Sequence, residues 1–89
     1  MTSKEKHRKE LVARLRRVEG QVRGIQGMVE SEADCQAIAQ QLCAARRALD
    51  RAFFEMMACS LEQQLDDSPD IEAARTATAQ MAQMLVKFG

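Results

Sequence analysis

The tightest constraint on this chain is a run of apolar residues through its middle: Cys35, Ile38, Leu42, Ala45, Leu49, Ala52, Met56 and Cys59. The steps alternate three and four, which keeps side chains along one face of an α-helix in a helical assembly. A cysteine stands at each end of the stripe. The two are about 36 Å apart along a helix that rises about 1.5 Å per residue, so they cannot meet within one chain. Two copies paired antiparallel would bring Cys35 of one near Cys59 of the other. The stripe therefore predicts an oligomer with a thiol site between its subunits.

The flanking segments carry the same repeat. Leu11, Leu15, Val18, Val22, Ile25 and Val29 step by four and three, which predicts a first helix from about Lys4 to Val29, with a capping box from Thr2 and Glu5 at its start. Gly20, Gly24 and Gly27 fall on that helix at helical spacing. Each costs roughly 1 kcal/mol in a helix interior relative to Ala. They predict either a close approach by a neighbouring helix or nucleic acid, or simply a weakened helix end. Ser31-Glu32-Ala33-Asp34 reads as a turn whose capping residues open a second helix, which runs to about Leu65. A helix of about 33 residues is unusual in a small domain and needs a partner along most of its apolar face. The clearest break is Asp66-Asp67-Ser68-Pro69-Asp70, with Ser68 as N-cap and Pro69 in the first helical position. Ile71, Ala74, Thr78, Met81, Leu85 and Phe88 give the third helix its face.

The expected fold is thus all-α, a single 89-residue domain of three helices. Composition agrees, with one Pro, four Gly and only three aromatic residues, all Phe. Too few turn formers are present for a many-stranded β fold. A chain this short is marginal alone, which again favours assembly. No apolar run approaches the roughly 20 residues of a membrane span, and the polar N-terminal segment lacks a signal-peptide core. A cytoplasmic protein is expected, with its three cysteines as thiols rather than a disulfide framework.

The net charge of zero hides an asymmetry. Residues 1–51 hold eleven Lys/Arg against seven Asp/Glu, whereas residues 52–89 hold two against six. A basic half suggests a polyanion partner. Lys4, Lys6, Arg8, Lys9, Arg14, Arg16, Arg17 and Arg23 crowd the first helix, and Arg46, Arg47 and Arg51 the second. Such groups neutralise phosphates and give salt-dependent DNA affinity. No helix-turn-helix signature is present, and no interleaved aromatics suit single strands. Double-stranded DNA would have to be bound through helix faces of an assembled oligomer, with Arg14 and Arg17 directed to the flank and outer face.

Of the cysteines, Cys35 stands at a polar helix start, where a helix N-terminus favours the reactive thiolate. Cys43 sits among apolar neighbours and reads as packing. Cys59 is in phase with Cys35, near a helix end. Metal-ligand spacing is weak: no CxxC or HxxxH is present, and the single histidine, His7, lies in a polar tail. Nothing resembles a catalytic triad, a phosphate loop or a paired-carboxylate site, so an enzyme is not expected and no cofactor is implied.

Two blocks resemble the CsoR/RcnR/FrmR family of bacterial repressors. Residues 14–25, RLRRVEGQVRGI, resemble its first-helix signature; residues 35–42, CQAIAQQL, and 44–49, AARRAL, resemble its second. The resemblance implies a three-helix protomer, an antiparallel dimer and a tetramer built from two dimers. It implies a repressor that leaves its operator when a small inducer reaches Cys35, and DNA contact involving Arg14, Arg17 and Arg46, with Arg16 in the same basic cluster.

The inducer stays open. Copper sensors of the family place His and Cys at the positions of Ser60 and Gln64, and nickel/cobalt sensors place His at both. Ser and Gln are poor ligands for such metals, leaving Cys35, Cys59 and His7 as the candidate metal donors. Persulfide sensors use two cysteines separated as Cys35 and Gln64 are, so Cys59 would have to serve as a displaced partner. In the formaldehyde-sensing branch a methylene joins the cysteine to the N-terminal amine of a neighbouring subunit, here that of Thr2 once Met1 is removed. Asp34 before Cys35 resembles that branch. Thr2 departs from its usual Pro, and Ser60 from its His. Formaldehyde or a related electrophile is the expected inducer. The rivals are persulfide or oxidant sensing through Cys35 and Cys59, a metal, and, from other classes, a helical interaction module without DNA binding or a thiol enzyme.

Overall fold

A computed structural model describes residues 3–88 of the chain, and side chains from Lys4 onward. The capping box expected at Thr2 lies outside them. The described residues form three helices, α1 (Ser3–Glu30), α2 (Cys35–Asp66) and α3 (Ile71–Phe88), and no strand. The expected class, number and order of elements hold, with each boundary within a few residues.

The chain groups into two compact units, one reaching to Glu55 and the other from Met56. In the first, α1 and the leading part of α2 form an antiparallel hairpin. Arg14, midway along α1, lies against Glu55, while the later part of α1 lines a groove with Leu42, Ala45 and Leu49. The hairpin splits the apolar stripes in two. On α1, Val18 and Ile25 are buried and Leu11 half-buried, while Leu15, Val22 and Val29 stay exposed. On α2, Ile38 is half-buried and Ala45 and Ala52 are buried, while Cys35, Leu42 and Leu49 are exposed. Each set repeats every seven residues. One helical neighbour covers one flank of a heptad stripe, and the other flank needs another.

The turn between α1 and α2 differs from expectation in detail. Ala33 N–H donates to the Met28 carbonyl at 2.9 Å and Glu32 N–H to the Val29 carbonyl at 3.2 Å. Glu32 has a φ of 60°. This is a Schellman closure with a non-glycine residue in the left-handed position. Ser31 Oγ donates to the Met28 carbonyl at 3.2 Å, so Ser31 closes α1 instead of opening α2. The first α2 bond runs from Ile38 N–H to the Asp34 carbonyl, which makes Asp34 the N-cap position and Cys35 the first helical residue.

The second unit shows the same exchange of roles. Ser68 Oγ donates to the Gln64 carbonyl at 2.6 Å and closes α2. Asp70 caps α3, its Oδ1 accepting the Ala73 N–H at 2.8 Å. The residues buried in this unit are Met57, Cys59 and Met81. Of the face expected for α3, Met81 is buried and Ala74 half-buried, whereas Ile71, Thr78, Leu85 and Phe88 are exposed, and Ala73 and Ala77 are the other half-buried positions.

A Cβ added at Gly20, Gly24 or Gly27 would meet nothing within 4 Å. The close approach by a neighbouring helix expected of these glycines is therefore not made by this chain's own helices.

Candidate functional site

The cysteines sit in three different settings. Cys35 is exposed at the first turn of α2, on the same outward line as Leu42 and Leu49. Cys43 is half-buried, and Arg46 donates a long contact to its sulfur, Nη2 to Sγ 3.8 Å. Cys59 is buried in the second unit. Of the other residues expected at the sensing site, Ser60 is half-buried and Gln64 exposed on α2, and Thr2 lies outside the described residues. Cys35 is separated from Cys59, Ser60 and Gln64 by six or more turns of one continuous helix at about 3.6 residues per turn.

Further along the hairpin, α1 and α2 leave an apolar groove of about 530 Å³. Val22, Ile25, Val29, Leu42, Ala45 and Leu49 line it, with Gln26, Glu30 and Arg46 at its rim. A second groove, lined by Leu15, Val18 and Val22 with Glu19 and Arg23, continues it along α1. Large side chains left open this way mark a surface made for contact.

The candidate DNA-contacting arginines divide as well. Arg16, Arg17 and Arg46 are exposed. Arg16 and Arg17 carry no ion pair among the described residues. Arg14, expected at the flank, is turned inward: its Nε is 2.7 Å from Glu55 Oε2, with the Arg14 side chain 26% exposed. Position 14 lies one turn before the buried Val18, so the packing that seats Val18 carries Arg14 onto α2. The buried Nε–H has no aligned hydrogen bond. The 2.7 Å approach is therefore an ion contact rather than a directed bond. Sequence patterning points charged residues outward, and only the partner acid on α2 reveals this inward one.

Among the described residues, no three His, Cys, Asp or Glu side chains gather as a metal-holding group. The hydroxyl of Ser60 and the amide of Gln64 do not suit a soft or borderline metal ion. His7, half-buried on α1, already has an interaction partner. Of the described residues, no helix is long and apolar enough to cross a membrane.

The family model described as metal-sensitive transcriptional repressor matches residues 7–87. The chain belongs to that family. Its members are the CsoR/RcnR/FrmR repressors, so the resemblance of the two signature blocks is borne out, and the chain is a DNA-binding transcriptional repressor rather than an enzyme. Among solved structures, it is similar to a variant of the formaldehyde-responsive regulator FrmR from Salmonella enterica serovar Typhimurium. The identity is 27%, the match covers 94% of this chain and 96% of that one, and the TM-score is 0.76. The repressor family also implies an oligomer, in line with the open flank of the hairpin. The alternative of a helical interaction module without DNA binding falls with the family assignment.

Proposed function

We propose that this repressor holds double-stranded operator DNA as a homotetramer and releases it when formaldehyde or a related electrophile reacts at Cys35. The observation that carries the reading is the position of Cys35, the exposed cysteine on the same heptad line of α2 as the exposed Leu42 and Leu49. An antiparallel second copy seated on that face would cover Leu15, Val22, Leu42 and Leu49 and bring its own groups to Cys35. Two such dimers would complete the tetramer. The family match runs across both units, which supports treating residues 1–89 as one functional module. Operator binding is in keeping with a cytoplasmic location.

The chemistry needs a thiolate and an amine. The Cys35 sulfur adds to the carbonyl carbon of formaldehyde and gives an S-hydroxymethyl group. The free N-terminal amine of a neighbouring subunit, that of Thr2 once Met1 is removed, displaces the hydroxyl as water. One carbon is gained and a methylene joins sulfur to nitrogen, with no change of oxidation state at sulfur. The link favours a conformation with lower DNA affinity, and the population shifts accordingly. In an antiparallel pair, Ser60 of the partner subunit and Gln64 of the partner subunit would line the approach as uncharged groups. Burial of Cys59 disfavours the rival in which persulfide or oxidant joins Cys35 to Cys59, because Cys59 would first have to leave its packed site. A metal held by Cys35, Cys59 and His7 is disfavoured by the same burial and by the donors at positions 60 and 64.

Arg16, Arg17 and Arg46 would contact phosphates, with Arg14 joining them on binding. The test is anisotropy of a labelled duplex from the region upstream of the gene, with formaldehyde titrated against the unaltered chain and Cys35→Ser. Release that vanishes in the Ser variant, with a one-carbon mass gain linking Cys35 to an N-terminus, is the expected result. Tight binding indifferent to formaldehyde would overturn the inducer and turn attention to persulfide and then Cu(I). Equal affinity for a scrambled duplex would overturn operator recognition.

A further inference from the structure

The polar tie between the two hairpin helices joins a candidate DNA contact to an acid. Glu55 has a cation at each oxygen, Arg14 Nε at 2.7 Å from Oε2 and Arg51 Nε at 3.8 Å from Oε1. The Arg14 contact is not a directed hydrogen bond, so charge and packing alone hold it. A carboxylate and a phosphate offer a guanidinium much the same partner, two anionic oxygens within reach of its N–H fork. A phosphate that engages the Nε edge of the Arg14 fork has to draw it away from Glu55.

We propose that Glu55 is an internal competitor for DNA. Its carboxylate occupies Arg14 in the free repressor, and Arg14 passes to a backbone phosphate when the operator binds. The proposal rests on the reading of Arg14 as a DNA contact made above. The exchange sets a threshold on binding, because part of the Arg14–phosphate attraction is offset by losing Glu55. It also gives the hairpin two arrangements of one arginine, the kind of element that DNA and the assembly can bias together.

Glu55→Gln removes the charge and keeps the shape. Anisotropy is read for the unaltered chain, Glu55→Gln, Arg14→Gln and the double variant, on a labelled upstream duplex from about 50 to 200 mM salt. Glu55→Gln tightens binding roughly two- to fivefold. Because Arg14 reaches the phosphate in both proteins, the dependence of log Kd on log salt shifts by less than the value of about 0.9 for one full phosphate contact. The same substitution in the Arg14→Gln background changes neither. Unchanged or weaker binding by Glu55→Gln would overturn the proposal, since Glu55 would then be holding Arg14 in place or acting only in the fold. Tightening that survives Arg14→Gln would also overturn it, by moving the effect to Arg51 or to the general field. Should the unaltered chain bind no duplex, the DNA reading fails as a whole. Should Arg14→Gln bind as the unaltered chain does, only the Arg14 part of that reading fails, and the competitor with it. Far-ultraviolet circular dichroism checks folding. If Glu55→Gln does not fold, Glu55→Asp draws the carboxylate back by one methylene and gives a smaller tightening, and the lack of any tightening then decides against the proposal.

Discussion

Arg14 Nε lies 2.7 Å from Glu55 Oε2, across the width of the hairpin and between residues far apart in the chain. The two side chains are 26% and 37% exposed, so water screens the pair and its contribution to stability is small, about 0.2 to 1 kcal/mol. A double-mutant cycle with Arg14→Gln and Glu55→Gln is expected to give a coupling near 0.5 kcal/mol that shrinks as salt rises. Arg14→Gln alone costs more than the coupling, because the arginine side chain is also about three-quarters covered. A coupling above about 2 kcal/mol would mean a pair far drier than the exposures allow.

Glu32 holds a left-handed backbone at φ 60° in the Schellman closure of α1. For an L-residue with a Cβ that conformation costs roughly 1–2 kcal/mol, and glycine escapes it. Part of the gain is returned because glycine makes the unfolded chain more flexible. Glu32→Gly is therefore expected to stabilise the fold by about 0.5 to 1 kcal/mol, read as a rise in Tm at fixed protomer concentration. A fall in Tm would show that the Glu32 side chain makes a contact worth more than the strain.

Asp70 caps α3 through its Oδ1, while Ser68 serves the end of α2. Loss of a cap side chain costs about 1 kcal/mol. Asp70→Ala should lower stability by that amount and lower Tm by several degrees. Ser68→Ala should cost less, since the carbonyl it serves is exposed and water can replace the hydroxyl. The reverse order would return the cap to Ser68, where the sequence pattern puts it.

These serines show where sequence stops being informative. Helix number and breaks are legible because the apolar steps, the Asp66–Asp70 run and Pro69 are local signals. A serine in a turn is ambiguous, because its hydroxyl can accept from the helix ahead or donate to the carbonyls of the helix behind. At Ser31 and Ser68 the donation wins. The stripe through α2 is equally legible, but both of its flanks are apolar, so spacing does not say which one the chain covers itself. Position 14 looks solvent-facing until Glu55, far away in sequence, is seen beside it. Cys35 stands out in the sequence by its polar helix start, and the structure keeps it exposed. Cys59 shares its phase, yet the inner flank buries it.

The divided stripe leads to the most direct test of assembly. Successive side chains turn by about 100°, so steps of three and four place the two heptad lines about 50° apart on the helix. Ala45 and Ala52 lie on the covered line, and Leu42 and Leu49 on the open one. Leu49 is 47% exposed in the single chain, so a charge there costs a lone hairpin little. In an assembly that covers the open line, the same charge would be buried without a partner, at a cost of several kcal/mol. Leu49→Glu is expected to lower the assembled mass measured by light scattering and to make Tm depend more steeply on concentration. Gln40→Glu, on the exposed back of the same helix, should leave both unchanged. If Leu49→Glu assembles as the unaltered chain does, the open flank is not where the copies meet, and the thiol site at Cys35 has to be built from another surface.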